Sequence, residues 1–133
     1  MDQIQVPFEA FNIDPDDGQR VVAAVVAFLD RYPARSIPSS EISLTAGVPE
    51  PTAKLVLFAL LALRHVKAAF RARCRKCRRI VGQPEPTVYD VKAMALTGQY
   101  WCYGCANSNP DDIEIELLFV KPGTEVVALE LGA

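Results

Sequence analysis

The sequence predicts an α+β protein, with a helical N-terminal half and a C-terminal half built on four cysteines and a β-hairpin. Three observations predict it. In the first half apolar residues recur at helical spacing, as Val21, Val25, Phe28, Leu29 and Tyr32 do. In the second half they alternate with polar ones, as Ile113, Ile115, Leu117 and Phe119 do around Glu114 and Glu116. All four cysteines fall in two Cys-x2-Cys pairs, Cys74/Cys77 and Cys102/Cys105, with 24 residues between them.

Taken in order, residues 1–13 form an N-terminal arm. Asp14-Pro15-Asp16-Asp17 starts a helix: Asp14 caps it, Pro15 suits its first position, and the acids favour its positive end. That helix runs to about Tyr32, where Pro33 stops it; its valines lower helix propensity, so a strand is the alternative. Ser39 or Ser40 starts a second, short helix through Ala46, ended by Gly47. A third runs from Pro49-Glu50-Pro51-Thr52 to about His65 or Val66. Ala68, Phe70, Ala72 and Cys74 then alternate with Lys67, Ala69, Arg71 and Arg73, which predicts a half-buried strand with its basic residues outward. Val88–Leu96 reads as a short helix ended by Gly98. Residues 113–119 lead through the turn Lys121-Pro122-Gly123-Thr124 into a returning strand, Glu125–Leu131.

With 133 residues, half of them hydrophobic, the chain has material for a real core. Its formal net charge is −2, but the charges are segregated. Arg64, Lys67, Arg71, Arg73, Arg75, Lys76, Arg78 and Arg79 make eight of its fourteen cations, and no acid lies between Pro51 and Pro84. Such a basic stretch suits a phosphate track as well as a solvated face. The apolar runs Val21–Leu29 and Leu55–Leu63 are far shorter than the roughly 20 residues that cross a bilayer. The start Met1-Asp2-Gln3 lacks a basic, then apolar, leader. A soluble, cytoplasmic protein without a membrane partner is expected.

Each Cys-x2-Cys pair can turn two sulfurs toward one point, and two such knuckles supply four thiolates about 2.3 Å from one Zn²⁺. One structural zinc on Cys74, Cys77, Cys102 and Cys105 is therefore expected; iron suits the same sulfurs. Disulfides do not suit a chain without a secretion signal, and a redox pair calls for one Cys-x2-Cys opening a helix in a βαβ setting. Four protein ligands leave no open position for water or substrate. Arg75, Lys76, Arg78 and Arg79 flank the first knuckle and either neutralise its charge or contact phosphate. Tyr100, Trp101 and Tyr103 surround Cys102. Packing of Trp101 and Tyr103 over the knuckle is preferred to base stacking. No Gly-rich phosphate loop or Ser-His-Asp set is present, and His65 is the only histidine. The expectation is not an enzyme, and no small-molecule substrate.

The order helix, short helix, turn, long helix, strand looks like a winged-helix domain over 14–73, with a zinc ribbon and hairpin over 74–133. Ser39–Val48 followed by Pro51-Thr52-Ala53-Lys54 is similar to the helix-turn-helix core of such domains. A winged helix followed by a four-cysteine ribbon resembles the N-terminal half of the large subunit of general transcription factor E and its archaeal relatives. The resemblance covers about residues 18–131 in architecture, and only the cysteine pairs are specific as residues. Arg78 and Ala106 stand where Gly often follows the second cysteine of a knuckle. In winged-helix domains the second helix of that core usually enters the major groove, and the strand Lys67–Arg73 would be the start of the wing hairpin.

The third helix departs from a DNA reader. Base edges are read by polar side chains, whereas Leu55–Leu63 is apolar all round. Leu57, Phe58, Leu60 and Leu61 are candidates for contact with a protein partner or a second copy. The expected function is a non-enzymatic zinc-binding adaptor acting through this helix. The alternative is a DNA- or RNA-binding transcription-type regulator using the eight cations.

Overall fold

Residues 4–124 are described by the structure, a computed structural model. The architecture is α+β: helices α1 (Pro15–Arg31), α2 (Ser39–Ala46), α3 (Glu50–Ala62) and α4 (Val88–Leu96), with strands β1 (Lys67–Cys74) and β2 (Ile113–Val120) paired antiparallel. Short 3-10 turns occupy Phe8–Phe11 and Pro110–Asp112. The chain forms two compact units. One runs to Lys67 and takes in Phe119–Thr124; the other spans Ala68–Leu118. The division thus falls after the first residue of β1 and not at Cys74, because the rest of β1 is hydrogen-bonded to the segments that follow it.

In the first unit the Asp14 carboxylate accepts the Asp17 amide at 3.1 Å and opens α1 as a helix. Val21, Ala24, Val25, Phe28 and Leu29 form its buried stripe, so the valines serve a helix and not a strand. Gly47 closes α2 at φ 69°, a backbone region that a Cβ disfavours. The three-residue link turns the chain through 111° into α3. That helix stops at Ala62, short of His65. The Arg64 amide donates to Leu61 O and the His65 amide to Leu60 O, with Arg64 at φ 63°, so the chain leaves in a left-handed turn. Helices α1, α2 and α3 pack on one another, with Val21, Val25, Ile42, Val56, Leu57 and Leu60 fully buried.

In the second unit the chain folds back after β1. Phe70 and Glu85 exchange two backbone hydrogen bonds, of 2.8 and 2.6 Å, and the Val81 amide donates to Ala72 O. β1 is therefore flanked by this returning segment and by β2. Its burial does not follow simple alternation: Ala69 is buried, and Arg71, expected outward, is only 8% exposed. Thr87 caps α4 by accepting the Asp90 amide, and Gly98 at φ 71° follows its end. Val91 and Ala95 of α4 pack with Ala72 and Tyr100, backed by Phe70, Val81, Ile113 and Ile115.

After β2, the Thr124 amide donates to Lys121 O with Gly123 at φ 82°, the turn foreseen for Lys121–Thr124. The expected returning strand, 125–131, lies outside the described residues.

A candidate four-sulfur metal centre

Two separate segments deliver the cysteines, and they do so with the same local geometry. In the first knuckle the Cys74 amide donates to Arg79 O at 2.7 Å; in the second the Cys102 amide donates to Asn107 O at 2.9 Å. Each bond closes a loop of equal length around a Cys-x2-Cys pair. In each loop the residue after the second cysteine is left-handed, Arg78 at φ 66° and Ala106 at φ 52°. This is the physical reason glycine favours that position in such loops. Ala106→Gly is accordingly expected to stabilise the metal-loaded protein by up to about 1 kcal/mol. Ala93→Gly, on an exposed turn of α4, costs about 1 kcal/mol. Paired thermal melts check the opposite signs.

The four Sγ atoms lie within 4.8 Å of one another, with Cys74–Cys105 at 3.7 Å and Cys77–Cys102 at 3.3 Å. Four sulfurs about 2.3 Å from a central ion would stand about 3.8 Å apart, so the cluster is compact enough for one metal ion to be held by all four. Cys74 and Cys102 are buried and the other two partly so.

The amides of Cys77 and Lys76 face the Cys74 sulfur and, against the effect of burial, bring its pKa down to about 7. The Arg79 amide acts in the same sense on Cys77, but the bond to Cys102, burial and Cys74 outweigh it and leave that thiol raised. Cys105 is pushed up to about 12, first by its bond to Cys74 and then by burial and the other two sulfurs. One thiolate forms readily and opposes the rest. A cation at the centre removes that conflict, because it stabilises all four thiolates together. An all-sulfur donor set selects zinc or iron over hard cations.

The eight cations of the basic stretch divide into two groups. Arg71 and Arg73 both hold Glu116, at 2.9 Å each. Lys76 faces Asp112 at 3.4 Å, Arg78 pairs with Glu114, and Lys67 donates to Thr124 O. Arg64, Arg75 and Arg79 are exposed and have no carboxylate partner among the described residues. Burial raises the Glu116 pKa, but the two guanidinium groups more than offset it and hold the carboxyl below its usual range. The acidic strand thus answers the basic one, which periodicity alone did not reveal.

Of the partner candidates on α3, Leu57 and Leu60 are fully buried in the first unit, so neither offers a surface. Leu61 is half-buried. Phe58 remains 48% exposed beside exposed Leu55, with its ring edge against Phe119 at 5.2 Å between centroids.

Trp101 and Tyr103 do not cover the knuckle as expected. They are 45% and 85% exposed, while Tyr100 and Cys102 are buried. The signal was in the sequence: if Cys102 faces the metal, an extended chain turns residues 101 and 103 outward and 100 inward. The Tyr100 ring packs over Gly82, where a Cβ would stand 2.3 Å from Cε1. Its hydroxyl pKa is raised by burial, then by Glu85 and Asp90, so it stays protonated at neutral pH.

A groove of about 830 Å³ runs along α1, lined by Ile4, Val6, Phe8, Val22 and Val26 among others, with Asp30 the one ionisable side chain among the described residues that line it. No helix among the described residues is by itself long and apolar enough to cross a membrane. No protein family, curated protein or solved structure matches this chain.

Proposed function

We propose that this chain is a non-enzymatic zinc-binding adaptor, of winged-helix and zinc-ribbon type, that binds a protein partner or a second copy through the exposed edge of α3. A single observation carries the zinc part: two knuckles of equal geometry bring four sulfurs within 4.8 Å of one another. Such a set is closed to substrate, so the ion stabilises structure and performs no catalysis. Four reduced thiols suit a reducing compartment such as the cytoplasm.

The 111° angle and the Gly47 link between α2 and α3 fall within the range of helix-turn-helix units and support the winged-helix reading. The position of a reading helix is here taken by Leu55, Phe58 and Leu61, spaced at i, i+3, i+6, with two of the three exposed. Apolar side chains at that edge favour a protein surface over base edges. The regulator reading, with eight cations on phosphate, is weakened by the pairing of four of them with carboxylates and of Lys67 with a carbonyl.

A photo-crosslinking amino acid at position 55, in zinc-loaded protein expressed in its native host, tests the partner claim. A discrete protein adduct, self or foreign by mass, is expected at 55 and not at the control position Glu41. Phe58→Glu should abolish that adduct without changing zinc content. Equal labelling at 55 and 41, or an adduct indifferent to Phe58→Glu, overturns it.

A further inference from the structure

We propose that the outer face of the second knuckle is a platform for single-stranded nucleic acid, on which Trp101 and Tyr103 stack bases while Arg79 and Arg75 hold phosphates. This goes beyond the adaptor reading and does not depend on α3.

The argument starts from the cysteines. With Cys102 turned to the sulfur cluster, Trp101 and Tyr103 have to face outward, and they are 45% and 85% exposed. Their ring centroids are 6.5 Å apart with planes at 76°, Tyr103 within and Trp101 directly before the loop closed by the Cys102–Asn107 bond, which also carries two of the clustered sulfurs. Two large aromatics held in water on a rigid loop lose little conformational freedom when a flat ligand stacks on them. Any base offers a π-face, so such stacking is tolerant of sequence.

The charges nearby are sorted. Arg71, Arg73, Lys76 and Arg78 are held by carboxylates, which cancels them as phosphate ligands. Arg75 and Arg79 are exposed and have no such partner among the described residues. Arg79 also lies along the aromatic loop: a Cβ at Gly104 would stand 3.0 Å from its Nε and 3.3 Å from its Cζ. The glycine next to Tyr103 lets a guanidinium rest against that backbone. Aromatic faces beside unneutralised guanidinium groups match unpaired bases on a phosphate chain. They match a duplex poorly, because its bases are already stacked inside.

Trp101 is the chain's only tryptophan, so its emission reports the site directly. Zinc-loaded full-length protein is titrated with a twelve-residue oligothymidylate at low salt, with duplex DNA and heparin as comparison polyanions. Saturable quenching by the single strand alone is expected. The slope of log affinity against log salt should be about −1.4, at roughly −0.7 for each of two phosphates. Tyr103→Ala should weaken binding by about 5- to 150-fold, the range for a lost stacking partner. Arg79→Gln should halve the salt slope, and both variants should keep one zinc and the parent circular dichroism. Unchanged emission at low salt overturns the proposal. So does equal quenching by duplex DNA or heparin, or parent affinity in a zinc-loaded Tyr103→Ala protein.

Discussion

Stripping the metal, or replacing Cys77 by serine, is expected to unfold the second unit while the helical signal of the first survives. The reason is the unequal size of their cores. The first unit buries Val21, Val25, Ile42, Val56, Leu57 and Leu60 completely. Among the described residues, a core cluster of the second has Ala72, Val91, Ala95 and Tyr100 as its buried members, two of them alanines. So little apolar surface does not offset chain entropy, and small units of this kind depend on a staple. Structural zinc contributes an apparent ~10–16 kcal/mol in small zinc-dependent folds, comparable to the whole stability of an ordinary domain, ~5–15 kcal/mol.

The measurement is far-UV and near-UV circular dichroism with a strong chelator, together with elemental analysis. Near-UV signal from Tyr100 and Trp101 should vanish with the zinc, and much of the 222 nm helical signal should remain. A chelated protein with an unchanged melt would remove the staple argument. A coloured native protein with iron bound would redirect it to a different ion on the same ligands.

Glu116→Gln is expected to cost about 2 kcal/mol. Removing one partner of a buried pair costs ~3–5 kcal/mol because the other charge is stranded. The Glu116 side chain is 34% exposed, and exposed pairs contribute only ~0–1 kcal/mol, which brings the figure down. It stays well above the exposed limit because the Arg71 side chain is 10% exposed and would be left without its carboxylate. Chemical denaturation of the two zinc-loaded proteins gives the difference, and Tm should fall by several degrees.

The pH dependence follows from the same group. A carboxyl whose folded pKa is depressed stabilises the fold above its unfolded value, ~4.3. That contribution is lost only as pH falls through the lower folded value. The gap between parent and Glu116→Gln should therefore be flat from pH 6 to 8. A gap that changed across that range would assign the effect to another group. In the Glu116→Gln background, Arg71→Met should recover part of the loss, since it removes the stranded charge.

Much of the local structure was legible in residues. Asp14-Pro15 marked the start of α1, Gly47 the end of α2, Gly98 the end of α4, and Pro122-Gly123 the turn after β2. Each works through backbone preference or a side chain within a few positions, so neighbours in sequence suffice. The sulfur pairs were legible for a like reason, since two residues of spacing fix how each knuckle turns. Other features were not. Arg71 was expected outward, and its burial depends on Glu116, which is distant in sequence and adjacent only after β1 and β2 pair. An all-apolar α3 likewise has no marked inner side. Only packing against α1 and α2 decides that Leu57 and Leu60 go in and Phe58 stays at the rim.

By itself, then, the sequence determined where α1, α2 and α4 begin and end, that strands stand before the first cysteine pair and after the second, and that four cysteines form two equivalent loops. These properties are set by interactions over a few residues. Tertiary structure alone decided which cations are neutralised, which face of α3 stays in water, and that the sulfur atoms meet within 4.8 Å. Each of those depends on the energy of bringing distant segments together, where burial and charge pairing act between groups that the linear order keeps apart.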